Sequence, residues 1–289
     1  MLPQLLVNGI VLGSGFALIS IGHTIIFGLM RISNFAHGEL YMLGAYFTYT
    51  FVDILNLPFW IGLPAAMLGG VVFGWGLNRF IFRYVRDDMT LSGLVTVGLS
   101  IFLVNTARYI WGAEPRSITN PFPRIPIFIG SVTITPVRLF VIIASLSAIL
   151  IFNYVVKYTR IGKAFRATFQ NRAAAQLVGI NIESIYSLST IIGTVMASFA
   201  GALLGLVYSI DPNMGLKAIS VAWAVVVTGG FGNFFGAIVV GYFMGILESL
   251  GGGYISSAYK DVFPFIMLVL VLIFKPNGIF AKSSERMSG

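Results

Sequence analysis

The sequence predicts an all-α protein that crosses a bilayer about eight times, with one or two of its helices broken or re-entrant. Three observations carry that expectation. Only 10% of the 289 residues are charged while 57% are hydrophobic, against ~25% charged in soluble domains, so lipid must solvate much of the surface. Uncharged runs recur along the chain, several of them near the ~20 residues that a helix needs to span a ~30 Å hydrocarbon core. The basic residues behind the net charge of +8 fall in clusters between those runs, which is the positive-inside pattern of a membrane protein rather than a nucleic-acid patch.

Residues 1–30 carry no charge. The run is too long, and lacks the basic start, for a cleavable signal peptide, and is expected to stay as a span. Residues 40–52 form a short apolar run, and 54–78 an uncharged one opened by Pro58. Arg79 to Asp88, RFIFRYVRDD, reads as a cytoplasmic loop, and a fourth span runs from Met89 to about Ile110. The stretch 111–136 holds five prolines with scattered Thr and Ile. It reads as an extended outer loop with a small hairpin. Residues 138–156 cross inward and 184–209 cross outward to Asp211-Pro212.

The run 218–247 is uncharged but interrupted by Gly229-Gly230-Phe231-Gly232-Asn233. Asp211 is expected outside, and Lys275, Lys282 and Arg286 inside, with one crossing at about 258–274. Residues 218–250 must therefore go in and come back, turning at the glycines. Irregular backbone at such a turn has to face protein or a cavity. Asn34-Phe35 through Gly38 to Gly44-Ala45-Tyr46 echoes Asn233-Phe234 through Gly236 to Gly241-Tyr242-Phe243. Paired interruptions of this kind point to a translocation site near the midplane. If the first break is a hairpin the N-terminus lies inside; if it is an ordinary loop, outside.

The chain is organised around residues 158–182, YTRIGKAFRATFQNRAAAQLVGINI with the preceding Lys157. Lys157, Arg160, Lys163, Arg166 and Arg172 lie between two uncharged runs, 139–156 and 184–210, which assigns the segment to the cytoplasm. Phe165, Phe169, Ala173 and Leu177 recur every fourth residue and predict one apolar stripe on a short helix. Gly179 is placed to end it. Asn181 can cap the next helix, with Glu183 in its first turn. Two readings stay open from the residues alone: a helix lying on anionic lipid, or one docking in a groove of a cytoplasmic partner.

No G-x-x-x-x-G-K-[ST] is present, so no P-loop for ATP is expected. With no cysteine there is no disulfide or thiol chemistry. His23 and His37 form no H-E-x-x-H, no nucleophile elbow is found, and neither a metal site nor an enzyme is expected. Polar residues embedded in spans default to functional candidates: Asn8, His23, Asn34, His37, Glu39, Asn105, Arg108 and Glu248. A translocation pathway or gate is expected at Asn34, His37, Glu39, Gly229, Gly230, Gly232, Asn233 and Glu248. His23 is expected to be a packing residue, and Gly13, Gly15, Gly22, Gly28, Gly201 and Gly205 to let helices approach closely. An ion-coupled secondary transporter would need Glu39 and Glu248 as its embedded acids.

The ordered motifs resemble a known family. Asn34-Phe-Ala-His-Gly-Glu39 with Met42 and Gly44-Ala45-Tyr46, then Gly98 to Asn105, Arg160-Ile-Gly-Lys-Ala-Phe-Arg166 through Leu177-Val-Gly179-Ile180, Gly229 to Asn233 with Gly236-Ala237, Glu248, and Lys275-Pro-Asn-Gly-Ile279 occur in sequence. Together they resemble the branched-chain amino-acid ABC transporter permeases, most of all the H-type permease of leucine, isoleucine and valine importers. Tyr84 and Asn233-Phe234-Phe235 depart from the common pattern. The resemblance implies a single multi-pass inner-membrane permease domain over 1–289, with a cytoplasmic coupling-helix loop at about 158–182. It implies no cofactor on this chain, with ATP and Mg used by partner subunits. Those partners would be a second homologous permease, two cytoplasmic ATP-binding-cassette ATPases and a periplasmic amino-acid-binding protein, with membrane lipid around them and no nucleic acid. Lys163, Phe165, Arg166, Phe169, Arg172, Ala173, Leu177 and Gly179 would couple to an ATPase. Related permeases also import urea or short amides.

Overall fold

In the computed structural model, which describes residues 1–123, 125–130 and 132–280, the chain forms eleven α-helices and one β-hairpin, with short π and 3-10 turns among them. Lys282 and Arg286 lie outside the described residues. The helices are α1 (Leu2–Met30), α2 (His37–Tyr49), α3 (Phe59–Leu77), which runs on to Val85, α4 (Met89–Trp111), α5 (Pro136–Tyr158), α6 (Arg160–Gln170), α7 (Arg172–Leu177), α8 (Ile182–Gly205), α9 (Met214–Gly229), α10 (Phe234–Tyr254) and α11 (Phe263–Phe274). Seven helices are long and apolar enough to cross a membrane, among them the extended α3 and α11 with its 3-10 lead-in from Ser257. The shorter α2 and α9 are partial helices beside these seven.

The centre of the bundle is α1, apolar on every side, as a helix enclosed by others must be. It packs against α10 on one side and α8 on the other. The small residues singled out in the sequence make this possible. A Cβ at Gly13 would sit 2.7 Å from the Tyr242 Cα of α10, and one at Gly22 would strike the Gly193 carbonyl of α8. Between apolar helices in lipid, backbone proximity and hydrogen bonds take the place of a hydrophobic drive. Such bonds cross to α8, where Ser198 Oγ donates to the Leu40 carbonyl (3.1 Å) and Thr194 Oγ1 to that of Gly70 (3.0 Å). By contrast α4, α5 and α11 leave long apolar side chains exposed, such as Phe102, Leu150 and Ile273, and form the apolar outer wall of the bundle.

The ends of the bundle separate by charge. One end carries Arg79, Arg83 and Arg86 after α3, the basic α6–α7 segment, and Lys275. At the other lies the outer hairpin, β1 (Ile127–Ile129) paired antiparallel with β2 (Val132–Ile134). The N-terminus belongs to this outer end. Gln4 Nε2 donates to the Thr133 carbonyl (3.1 Å) and Gln4 Oε1 accepts from the Thr133 N–H (2.8 Å). The first break is thus a loop and not a hairpin.

Two expectations about continuity change. The segment 158–182 is not one helix: Asn171 has extended backbone, and its side-chain oxygen caps α7 by accepting from the Ala174 N–H (2.9 Å). An Asn that satisfies the first N–H groups of a new helix stops the old one. The four-residue stripe is broken at that point. Phe165 is buried, but Phe169, Ala173 and Leu177 are exposed, and Ala175 faces inward instead. Gly179 does follow the helix end in a left-handed conformation (φ 85°), and Asn181 caps α8 by accepting from Ser184 N–H (3.1 Å).

Candidate functional site

The two interruptions lie at different depths. Helix α2 starts deep inside the bundle, because His37 Nε2 donates to the Ile19 carbonyl at the middle of α1 (3.1 Å). At ~1.5 Å per residue, that point is about 17 Å above Met30. Residues 31–36 climb this distance beside α4, with Ser33 N–H donating to Ser92 Oγ (3.3 Å) and Phe35 N–H to Thr96 Oγ1 (3.1 Å). Irregular backbone survives there because hydroxyls of α4 replace the missing helical partners. The Gly229–Asn233 turn, in contrast, sits at the basic end, with the Phe231 ring tilted against Phe27 (ring centroids 4.8 Å). The sequence echo between the two breaks is therefore not a structural equivalence.

What α2 meets at mid-depth is the start of α9. A Cβ on Gly38 would overlap the Gly215 carbonyl, and one on Gly215 would overlap Glu39 Oε2. Two partial helices thus begin side by side within the bundle, α2 running outward and α9 inward. Glu39 is fully buried, accepts from Ser100 Oγ (2.9 Å) through Oε1, and leaves Oε2 without a partner among the described residues. His37 and Asn34 are also fully buried, and both Asn34 amide atoms lack partners among the described residues. His23 lies 5.3 Å from the His37 ring and 4.4 Å from Trp223 (centroids), and neither ring nitrogen is bonded among the described residues. No group of three His, Asp or Glu able to hold a metal occurs among the described residues.

At the basic end the 158–182 segment grips the bundle. Phe165 is buried, and the Arg166 guanidinium donates to the Val156 carbonyl at the end of α5. Thr159 Oγ1 caps α6 by accepting from Gly162 N–H (3.2 Å). Phe169 reaches furthest: its ring lies against both Gly28 of α1 and Gly232 of the hairpin turn. Gly232 has φ 74°, a conformation in which other residues are strained. Gly230 (φ 97°) packs against Gly278, and Asn233 caps α10 through Gly236 N–H (2.9 Å) while donating to the Phe280 carbonyl (2.7 Å). Gly229 faces Gly236 at the root of the hairpin. A cavity of about 330 Å³ lies beneath the segment, lined by Thr24, Gly28, Arg166, Phe169 and Gly232 among others.

The opposite face of the segment carries exposed Lys163, Ala173, Leu177 and Val178, the last two 89% and 76% exposed. Arg172 and Arg86 each place a guanidinium 5.3 Å from the Tyr186 ring centroid. Arg86 also forms a bidentate ion pair with Glu183. The hydrogen bond to that carboxylate holds the Arg86 guanidinium above its already high ordinary pKa. Lys157 to Tyr186 is thereby tied to α3, α5 and α8 at once.

The family model described as "Branched-chain amino acid transport system / permease component" matches residues 5–272. This chain belongs to that family. Its sequence is 35% identical to "High-affinity branched-chain amino acid transport system permease protein LivH" of Escherichia coli (strain K12), over 96% of this chain and 95% of the relative. It is 32% identical to the permease protein BraD of Pseudomonas aeruginosa, with the same coverage. Among solved structures, a chain of PsaBC from Streptococcus pneumoniae in complex with Fab aligns over 95% of this chain and 92% of its own length. At TM-score 0.51 and 13% identity, that likeness speaks for the fold alone.

Sequence reasoning named Phe169 and Gly232 separately but did not pair them. It also missed Gly215, Trp223 and Lys217. Lys217 carried a usable signal. It is the last charge before the uncharged run 218–247, and Glu248 is the next one after it. A hairpin folded at its middle brings those two ends together, and Lys217 Nζ indeed donates to Glu248 Oε1 at 3.1 Å and also pairs with Asp261. Glu248 therefore sits at the open end of the α9–α10 hairpin, level with the start of α9, and not at its glycine turn.

Proposed function

We propose that this chain is the permease subunit of an ATP-binding-cassette importer that carries leucine, isoleucine and valine inward across the inner membrane. The observation that best supports a motor-driven permease is Phe169, whose ring joins the exposed cytoplasmic segment to the turn of α9–α10. A pull on α6 and α7 displaces that ring. The displacement reaches Gly28 and Gly232 through atoms already in van der Waals contact, and close-packed interiors pass such strain on rather than absorb it. Helix α9 then carries the movement to its other end, where Gly215 rests against Gly38 and Glu39 at mid-depth.

In this reading two cytoplasmic ATPases hold the ATP and Mg and supply the pull, a second homologous permease completes the pathway, and a periplasmic binding protein delivers the amino acid. Lys163, Arg172, Ala173 and Leu177 face the ATPase, while Phe165, Arg166 and Phe169 face the bundle and Gly179 ends the docking helix. Asn34, His37 and Glu39 form the mid-depth gate, driven from below by Gly229, Gly230, Gly232 and Asn233, and Glu248 guards the outer side. The test is uptake of labelled leucine, and separately of labelled urea, into vesicles holding the whole complex. Leucine uptake that requires ATP and the binding protein is expected; urea uptake in its place, or uptake with no ATPase present, contradicts the proposal.

A further inference from the structure

At the outer end, a cavity of about 720 Å³ lies within this single chain, among α1, the start of α5, the α8–α9 connection, α9 and α10. This volume falls in the range of small-molecule sites. Its floor is apolar and deep, reaching Phe16 and Ile19 of α1, the latter at the level where α2 begins. Its walls carry both signs of charge: Arg138, Lys217 and Lys260 against Asp211 and Glu248.

Two features mark these walls as more than a solvated vestibule. Glu248 is 1% exposed; Lys217 holds its Oε1, but Oε2 has no hydrogen-bond partner among the described residues. A buried carboxylate oxygen without a donor is costly, and a primary ammonium is the donor that would offset it. Second, Asn213 and Met214 at the start of the 16-residue α9 line the same space. The N–H groups of Asn213, Met214 and Leu216 are already bonded, to Asp211 and to the Asn213 carbonyl, so what this helix end offers a carboxylate is its dipole. Arg138 adds a second cationic wall, its Nη1 steadied by Asn8 Oδ1 at 2.7 Å.

We propose that this outer cavity is a binding site, inside one permease subunit, for a free amino-acid zwitterion with an aliphatic side chain. The ammonium meets Glu248, the carboxylate meets Arg138 and the first turn of α9, and the side chain lies on Phe16 and Ile19. This deepens the proposed function, and rests on it for the choice of leucine as ligand. A phosphatidylethanolamine headgroup shares the paired ammonium and anion, so the experiment separates the two sources.

The 289-residue chain is placed in phosphatidylcholine nanodiscs, without ATPase or binding protein, and equilibrium binding of tritiated leucine is measured. Saturable binding is expected, with isovalerate (no ammonium), 3-methylbutylamine (no carboxylate) and glycine (no aliphatic body) each competing at least tenfold more weakly. Glu248→Gln is expected to weaken leucine at least tenfold. A diazirine leucine analogue gives a readout that needs no variant: crosslinks are expected on α1 between Asn8 and Ile19 and on α10 near Glu248, and excess leucine should remove them. No saturable binding, or crosslinks confined elsewhere, overturns the proposal. So does phosphatidylethanolamine found bound by native mass spectrometry, lost in Glu248→Gln and not displaced by leucine. If ATP-driven leucine uptake by the whole complex persists in any of those cases, only the cavity assignment falls; if leucine is not taken up at all, the transport reading falls with it.

Discussion

Phe169 and Gly232 are in direct contact, and the missing side chain at 232 is what lets them meet: a Cβ built there would overlap the ring. The contact links α6, at the basic end of the bundle, to the turn of the α9–α10 hairpin. At φ 74°, an alanine at 232 also carries a left-handed strain of roughly 1–2 kcal/mol. Gly232→Ala is thus expected to displace Phe169 and to reduce leucine uptake at least tenfold, measured in vesicles holding the whole complex. Gly98, which has open space around its Cα, is the control; Gly98→Ala should leave uptake within a factor of two.

Arg166 bonds the Val156 carbonyl at the end of α5 and so fixes the angle at which α6 leaves it. Arg166→Glu replaces a donor with an acceptor beside exposed C-terminal carbonyls, an unfavourable exchange of about 1–3 kcal/mol. Uptake should fall while nucleotide hydrolysis by the associated ATPases continues, and parallel assays of the two rates read this directly. Equal losses in both would mean that the angle of α6 does not govern coupling.

Leu177 and Val178 form an apolar knob exposed to water beyond the basic segment. An apolar anchor of this kind typically contributes ~2 kcal/mol or more when a partner pocket covers it. Leu177→Asp should weaken co-purification of the ATPase subunit by at least tenfold without changing the melting temperature of the isolated permease. Retained ATPase at wild-type stoichiometry would place the docking surface elsewhere.

The Arg86–Glu183 pair is half-exposed, with side-chain exposures of 13% and 52%. A pair of this kind stabilises by no more than ~1 kcal/mol. Glu183→Gln should therefore lower the melting temperature only slightly. Tyr186→Ala should lower it much more, because the ring is 2% exposed and lies between the Arg86 and Arg172 guanidinium groups. Thermal denaturation of the two variants in the same detergent decides the order.

Much of this arrangement was legible in the sequence, for reasons that follow from lipid as solvent. A span has to be apolar over its whole length, so uncharged runs marked the long helices and their basic flanks marked the cytoplasmic end. The glycine cluster at 229–232 located the hairpin turn because side counting demanded a return there. Depth was not legible. Residues 31–36 are held inside the bundle by Ser92 and Thr96 of α4, partners sixty residues away that no local pattern announces. Likewise Asn171 fits a helix interior and a helix cap equally well as a letter, and only its bond to Ala174 distinguishes them. The Lys217–Glu248 pair needed the hairpin first and the charges second.

The most direct test of the central claim is a paired measurement on Phe169→Ala in the reconstituted complex: ATP hydrolysis and leucine uptake from the same vesicle preparation. Hydrolysis near the wild-type rate with uptake reduced at least tenfold is the expected result, since the motor still docks on the exposed face but no longer moves the hairpin turn. Uptake that stays in proportion to hydrolysis would contradict it.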